Sequence, residues 1–223
     1  KKNHILVLLL FCFLFYVASV YAGDKPVIIK LRDGINYIDL NNDGKKDMVI
    51  KAWWDNNNAH GYYMYTFLIK NPNAENVKKA VWPDYSFWEK PSPLNTDEVF
   101  QLLIVAFQDE KGDLSESFHS HQGADCVLRD IYLLKNKDGK FSVIVAERPF
   151  KESFYEEQKV TFYRYEFVKD EEVLMGYPPF RFDYKDKLTT KKTYCDANEA
   201  FEKEYETLRK ASEKPPIRTG KEK

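Results

Sequence analysis

The chain is predicted to fold as a mainly β protein, an antiparallel β-sandwich with one C-terminal α-helix, on three observations. Apolar and polar residues alternate at a period of two through a series of short runs, turn-forming residues separate the runs, and a helical period appears only after Cys195. The runs are Val27 to Leu31, Asn36 to Leu40, Met48 to Trp54, Tyr62 to Lys70, Val99 to Phe107, Ile131 to Leu134, Phe141 to Glu147 and Lys159 to Val168. In the last of them Val160, Phe162, Arg164 and Glu166 point to one side and Thr161, Tyr163, Tyr165 and Phe167 to the other. Phe141 to Glu147 is apolar through its middle, which asks for cover on both faces. Lys137-Asp138-Gly139-Lys140 has the Asp-Gly tip of a hairpin, and Asn71-Pro72-Asn73 and Lys111-Gly112-Asp113 punctuate other strand ends. Strands at this spacing suit a sandwich or barrel.

After Cys195 the period changes. Asp196 is a candidate N-cap with Glu199 three residues on, and Ala197, Ala200, Phe201, Tyr205 and Leu208 recur at helical spacing. This stripe is expected to dock on the sheet. The tail 214–223 is too polar to stay ordered.

The start reads as an export signal. Lys1 and Lys2 precede an apolar run from Ile5 to Val17, too short to span a bilayer core, and Val20 and Ala22 allow cleavage before Gly23. A retained membrane anchor is the alternative. The expected organisation is a signal peptide over 1–22, one sandwich domain with its helix over 23–213, and a periplasmic or secreted location with no membrane contact after cleavage. The whole chain carries net charge −1, and residues 1–22 hold two lysines and no acid, so the remainder is close to neutral. Without a basic block interleaved with aromatics, no nucleic-acid partner is expected.

Cys126 and Cys195 are the cysteines outside the signal segment. In an exported protein an even pair is most simply a disulfide, here one that would staple the helix start to the body. Two free thiols or a thiol catalyst are the alternatives, although no catalytic signature places a His beside Cys126.

The strongest chemical signal is Asp39-Leu-Asn-Asn-Asp-Gly-Lys-Lys-Asp47. Side-chain oxygens fall at positions one, three, five and nine, with glycine at six, the pattern by which EF-hand loops hold calcium. Asp39, Asn41, Asp43 and Asp47 are therefore candidate ligands of a structural divalent cation, calcium rather than zinc, with the carbonyl of Lys45 as a fifth. Ile50 stands where an EF-hand has its bidentate Glu, and a strand follows in place of a second helix. A solvated Asn/Asp/Gly turn is the alternative.

Two irregular stretches are candidate functional loops. Lys78 to Asp97 holds Trp82, Tyr85, Phe87 and Trp88 among prolines, and serves either as a binding surface, with Trp82, Tyr85 and Trp88 its contacts, or as a lid on the core. Asp109 to Asp125 holds His119-Ser-His121, whose spacing suits zinc, but no third ligand recurs. Ser-x-x-Lys, Lys-Thr-Gly, Gly-x-Ser-x-Gly and His-Glu-x-x-His are all absent, and Gly123 stands where His-x-His-x-Asp hydrolases need Asp. No catalytic residues are assigned, and binding is expected rather than catalysis.

Together, the signal segment, Gly34 to Asp47 running into a strand, Asn58-Ala-His60, Ala124-Asp-Cys126 and Lys192 to Phe201 resemble the CarG-like carbapenem intrinsic resistance proteins. The resemblance implies a secreted β-sandwich with short terminal helices, a bound cation, a tendency to pair with a second copy, and protection against a carbapenem without hydrolysis. That family is similar in fold to periplasmic inhibitors of invertebrate-type lysozyme, but no Ser-Gly-x-x-Tyr-like segment occurs here. The partner is therefore left as a small molecule or a protein, with inhibition of a lysozyme or other wall hydrolase as the alternative function.

Overall fold

The computed structural model describes residues 26–55, 57, 60–71, 102–123, 125–170 and 178–212. In chain order the strands are β1 (Val27–Ile29), β2 (Gly34–Ile38), β3 (Asp47–Trp54), β4 (Tyr62–Lys70), β5 (Leu102–Ile104), β6 (Ala106–Gln108), β7 (Leu114–Ser115), β8 (Phe118–His119), β9 (His121–Gln122), β10 (Val127–Lys135), β11 (Phe141–Glu147), β12 (Gln158–Lys169) and β13 (Phe180–Tyr194). One helix, α1 (Ala197–Ser212), ends the described chain. The strands form two sheets. The larger runs β1-β10-β11-β12-β13-β6-β7 with β9 also on β10, and the smaller runs β2-β3-β4-β5 with β8 also on β4.

The predicted sandwich and its terminal helix are both present, and the layers follow from the side-chain alternation. Phe141, Val143 and Val145 of β11 face the smaller sheet and pack with Val49, Phe67, Ile69, Phe107 and Phe182. The intervening Ile144 and Ala146 face the other way, onto Ala197, Ala200, Phe201 and Tyr205 of α1. The larger sheet is thus the middle of three layers, and the first six residues of β11 are all buried. That is the physical content of its uninterrupted apolar run.

The helix docks as its stripe predicts. Asp196 caps it, its Oδ1 accepting from the backbone N–H of Asn198 at 2.7 Å and of Glu199 at 3.2 Å. Its Oδ2 accepts from the N–H of Val127 at 2.9 Å, tying the helix start to β10. Cys126 and Cys195, the neighbours of those two residues, are disulfide-bonded with Cα atoms 5.7 Å apart. Cap and staple lie side by side.

Two elements depart from the expected pattern. The run Val99 to Phe107 does not form one strand in its described part. It changes sheet at Val105, whose N–H bonds to the Phe67 carbonyl at 2.9 Å, so that β5 joins the smaller sheet and β6 the larger, where it pairs in parallel with β13. The longest strand, β13, carries no predicted run. Its inward Phe180 and Phe182 are buried, but seven Lys, Arg and Asp side chains punctuate Arg181 to Lys192, and that charge masks the alternation. β13 holds β12 along eleven residue pairs, with irregularities after Lys159 and Arg164.

Arg148 follows β11 and is 1% exposed. Its guanidinium donates to the carbonyls of Glu156 at 2.5 Å and Phe154 at 2.7 Å, stapling the β11–β12 connection to the body. Burial lowers its pKa from the ordinary arginine value. Peptide mapping of the native protein without reduction should recover the Cys126–Cys195 bridge. Replacing both cysteines by Ser should lower unfolding free energy by about 4 kcal/mol, as expected for a closed loop of this length. Both thiols alkylated in native protein would contradict the pairing.

Candidate functional site

The acidic loop folds as a tight turn that wraps its backbone N–H groups around its own carboxylates. Asp39 accepts from the N–H of Asp43 at 3.1 Å and of Gly44 at 3.0 Å, and Asp43 accepts from the N–H of Lys45 at 2.8 Å. Asn41 accepts from the N–H of Asp43 at 3.1 Å and donates its amide to the Asp43 carboxylate at 3.0 Å. Gly44 at φ 83° and Asn42 at φ 56° supply the left-handed backbone the turn needs. The Asn42 amide reaches the Gly139 carbonyl of the β10–β11 hairpin at 3.2 Å, latching turns of the two sheets together.

Asp47 stands apart from the other three. It is 0% exposed, and its two oxygens accept from the N–H of Leu40 at 2.9 Å and of Lys70 at 3.0 Å. The residue at position nine therefore closes the loop base and pins the end of β4. Among the described residues no three His, Cys, Asp or Glu side chains converge as a metal cluster. Asp39 and Asp43 keep lone pairs beyond those spent on the amides, since a carboxylate offers about four acceptor sites.

Burial raises the Asp47 pKa above its ordinary value, against the lowering effect of the two amide bonds. A raised folded-state pKa means that the native state takes up the proton first as pH falls. The contribution of this group to stability therefore grows from neutral pH downward through its folded pKa and levels off near the ordinary aspartate value.

The histidine pair of the second loop is split between the sheets. His119 lies on β8 of the smaller sheet, with Nε2 3.1 Å from the Ser117 hydroxyl, and His121 on β9 of the larger, opposite Arg129. Ser120 between them is buried and exchanges bonds with Tyr63, its N–H donating to the Tyr63 carbonyl and its hydroxyl accepting from the Tyr63 N–H. The segment is a stitch between layers. Burial and then Arg129 lower the His121 pKa, so its imidazole is neutral at pH 7. The candidate contacts Trp82, Tyr85 and Trp88 lie outside the described residues.

Sequence reasoning missed a cleft of about 280 Å³ that opens between the sheets. Its floor is the inward face of the larger sheet, with Arg129 and Glu147 paired across β10 and β11, Val145 and Tyr163 across β11 and β12, and Tyr165 and Tyr184 across β12 and β13. Phe118 of β8 and the Asp109-Glu110-Lys111 turn complete the lining. Neighbouring walls stand nearly perpendicular. Phe118 and Tyr165 meet at 68° and Tyr165 and Tyr184 at 75°, edge to face. The inter-sheet core is phenylalanine at Phe67, Phe107 and Phe182, and turns to tyrosine at 163, 165 and 184 as it reaches the opening.

Arg129 is held flat against Glu147 by two bonds, Nε to Oε2 at 3.2 Å and Nη2 to Oε1 at 2.9 Å. Lys187 bonds to Glu110 at 2.9 Å. The hydroxyls of Tyr163, Tyr165 and Tyr184 find no hydrogen-bond partner among the described residues. Burial raises all three pKa values, that of Tyr165 to about 12, so each remains a protonated donor. The available sequence signal was Thr161, Tyr163, Tyr165 and Phe167 on one side of β12, where a sealed core would place Phe, Val or Ile.

A second surface is the outward face of the smaller sheet. Cross-strand register places Ile35, Ile50 and Thr66 in one row and Tyr37, Met48 and Leu68 in the next, with Trp54 stacked on Tyr62 at 6.1 Å. None of these carries a charge, and Ile35, Tyr37 and Trp54 are about half exposed.

An antiparallel β-sandwich with a terminal helix is the class of protein these features define, and comparison with known proteins agrees on the fold. Residues 31–90 match the family described as carbapenem resistance protein CarG-like. The fold matches the crystal structure of CarG with a TM-score of 0.60, covering 82% of this chain and 98% of that one at 22% sequence identity. The two likenesses support a CarG-like assignment, and at that identity the structural match speaks for the fold. No curated protein matches the chain.

Asp47→Ala should cost about 2–4 kcal/mol by orphaning two buried N–H groups. Asp47→Asn, which keeps one acceptor, should cost less, and the wild-type chain should gain stability relative to it as pH falls from 7 toward 4. Denaturant melts across that pH range measure both. A pH-independent difference would contradict the buried, raised carboxyl.

Proposed function

We propose that the protein is an exported, non-enzymatic binding protein that acts in a CarG-like role by holding a small ligand in the tyrosine-lined cleft. The observation that carries this reading is the set of three half-buried tyrosines on the inward face of the larger sheet, whose hydroxyls no described residue bonds and which stand at the opening where a ligand can reach them. The cleft, at about 280 Å³, is slightly smaller than the usual small-ligand site and has its composition, an aromatic lining with a few convergent polar groups. Periplasmic expression in a carbapenem-sensitive host should raise tolerance while mass spectrometry shows the drug intact. Tyr163→Phe with Tyr184→Phe should abolish ligand binding without lowering the melting temperature. Steady disappearance of the drug with purified protein would overturn the binding reading.

The outer face of the smaller sheet supports a second copy of the chain as a partner. Two uncharged faces meet without like-charge repulsion, and such faces resemble a core cut in half, as in stable homodimers. Light scattering should give a dimer that Ile50→Glu converts to monomer. A wild-type monomer that inhibits lysozyme through this face would instead favour the wall-hydrolase inhibitor.

Calcium is proposed at the acidic loop, on Asp39, Asn41, Asp43 and the Lys45 carbonyl, with Asp47 bracing the loop from inside. Two carboxylates, each already accepting bonds within the turn, imply an affinity in the weak range of extracellular modules, about 10⁻⁴–10⁻³ M. Millimolar calcium should raise the melting temperature, and Asp43→Ala should remove the rise. An unchanged melt would count against the cation.

A further inference from the structure

The cleft between the sheets carries its own statement about the chemistry of its ligand. Its charges are balanced, and the pairs are made within the protein. Arg129 is matched by Glu147, and Lys187 by Glu110, while the Asp109 carboxylate is turned onto the backbone N–H groups of Lys111 and Asp113. An anionic ligand entering here meets Glu147, Glu110 and Asp109, and a cationic one meets Arg129, Lys111 and Lys187. The Lys187–Glu110 pair and the Asp109-Glu110-Lys111 turn are exposed and weigh little, so the cost falls at the half-buried Arg129–Glu147 pair, which a charged ligand must break or sit beside as a like charge. An uncharged ligand meets neither penalty.

The polar groups left over are hydrogen-bonding groups without net charge. The hydroxyls of Tyr163, Tyr165 and Tyr184 can each donate and accept, and the Glu147 carboxylate and Arg129 guanidinium retain sites beyond their mutual pair. The remaining surface is aromatic, with Phe118, Tyr165 and Tyr184 at successive near-right angles, a corner that accepts a compact ring having one apolar face and a polar rim. Resting on the reading of this cleft as the ligand site, we propose that it takes an uncharged, hydroxyl-rich ring, one pyranose residue of a glycan. The C–H face of the sugar packs on the tyrosine corner and its hydroxyls bond the three phenols and the free edges of the Arg129–Glu147 pair.

Calorimetry of the full exported chain tests this with glucose and N-acetylglucosamine against two charged counterparts, glucuronic acid and glucosamine. The neutral sugars should bind saturably and at least about fivefold more tightly than either charged one, with little dependence on salt. Tyr163→Phe with Tyr184→Phe, which keeps both rings, should weaken the neutral sugars about tenfold, the loss expected for two neutral hydrogen bonds. Tighter binding of a charged counterpart, absence of saturable binding by either neutral sugar, or unchanged affinity in the double variant would overturn the proposal. Carbapenem binding that the double variant loses, with no sugar bound, sinks the sugar assignment and leaves the binding-protein reading standing. Turnover of the drug alongside sugar binding does the reverse.

Discussion

The burial of β11 on both faces is the constraint on which the rest depends. A strand reading Phe-Ser-Val-Ile-Val-Ala needs apolar cover above and below, and a two-layer sandwich supplies only one side. The second cover is α1, which also buries Val160 and Phe162 of β12. A terminal helix is held in the end by its last contacts, so its first turn is fixed by several independent means. Asp196 caps it and holds Val127, the disulfide joins the neighbouring residues, and the Tyr132 hydroxyl donates to the Asn198 side chain at 2.5 Å. Arg148, at the far end of the same strand, fixes the connection to β12.

With the middle sheet committed on both faces, the smaller sheet is free to be short, and the cleft is the result. β8 covers the smaller sheet's edge with only two residues, and β5 has three. The inner face of the larger sheet therefore runs out beyond its cover, and side chains there must tolerate water. Tyrosine does so by keeping the ring in the core and the hydroxyl at the opening. The chain passes from the smaller to the larger sheet at Val105 and again at Ser120, both buried and both bonded to the β4 backbone, which fixes the two layers at the cleft's side.

Much of the fold was legible in the sequence. The alternating runs, the hairpin at Asp138-Gly139, the cap at Asp196 and the stripe through Tyr205 are local signals, and local physics decides them. Where the outcome hung on distant partners, the sequence was silent or misleading. β13 is a strand because β12 and β6 flank it, although its lysines and aspartates hide the alternation and no run was predicted there. Asp47 occupies a ligand position in the motif but sits beneath Leu40 and beside the end of β4, a contact made across 23 residues that spacing cannot reveal. The cleft was the least legible part, because Arg129, Glu147, Tyr163 and Tyr184 lie on four strands and become neighbours only through the register of the sheet.

The central claim is that the inter-sheet cleft, and no other surface, receives the ligand. Tyrosine ring signals in a ¹³C-edited NMR spectrum, followed while a ligand that raises the melting temperature is titrated in, test it most directly. The account predicts saturable shifts at Tyr163, Tyr165 and Tyr184 with Tyr37 and Tyr62 unmoved. Shifts confined to Tyr37 and Tyr62, on the outward face of the smaller sheet, would contradict it.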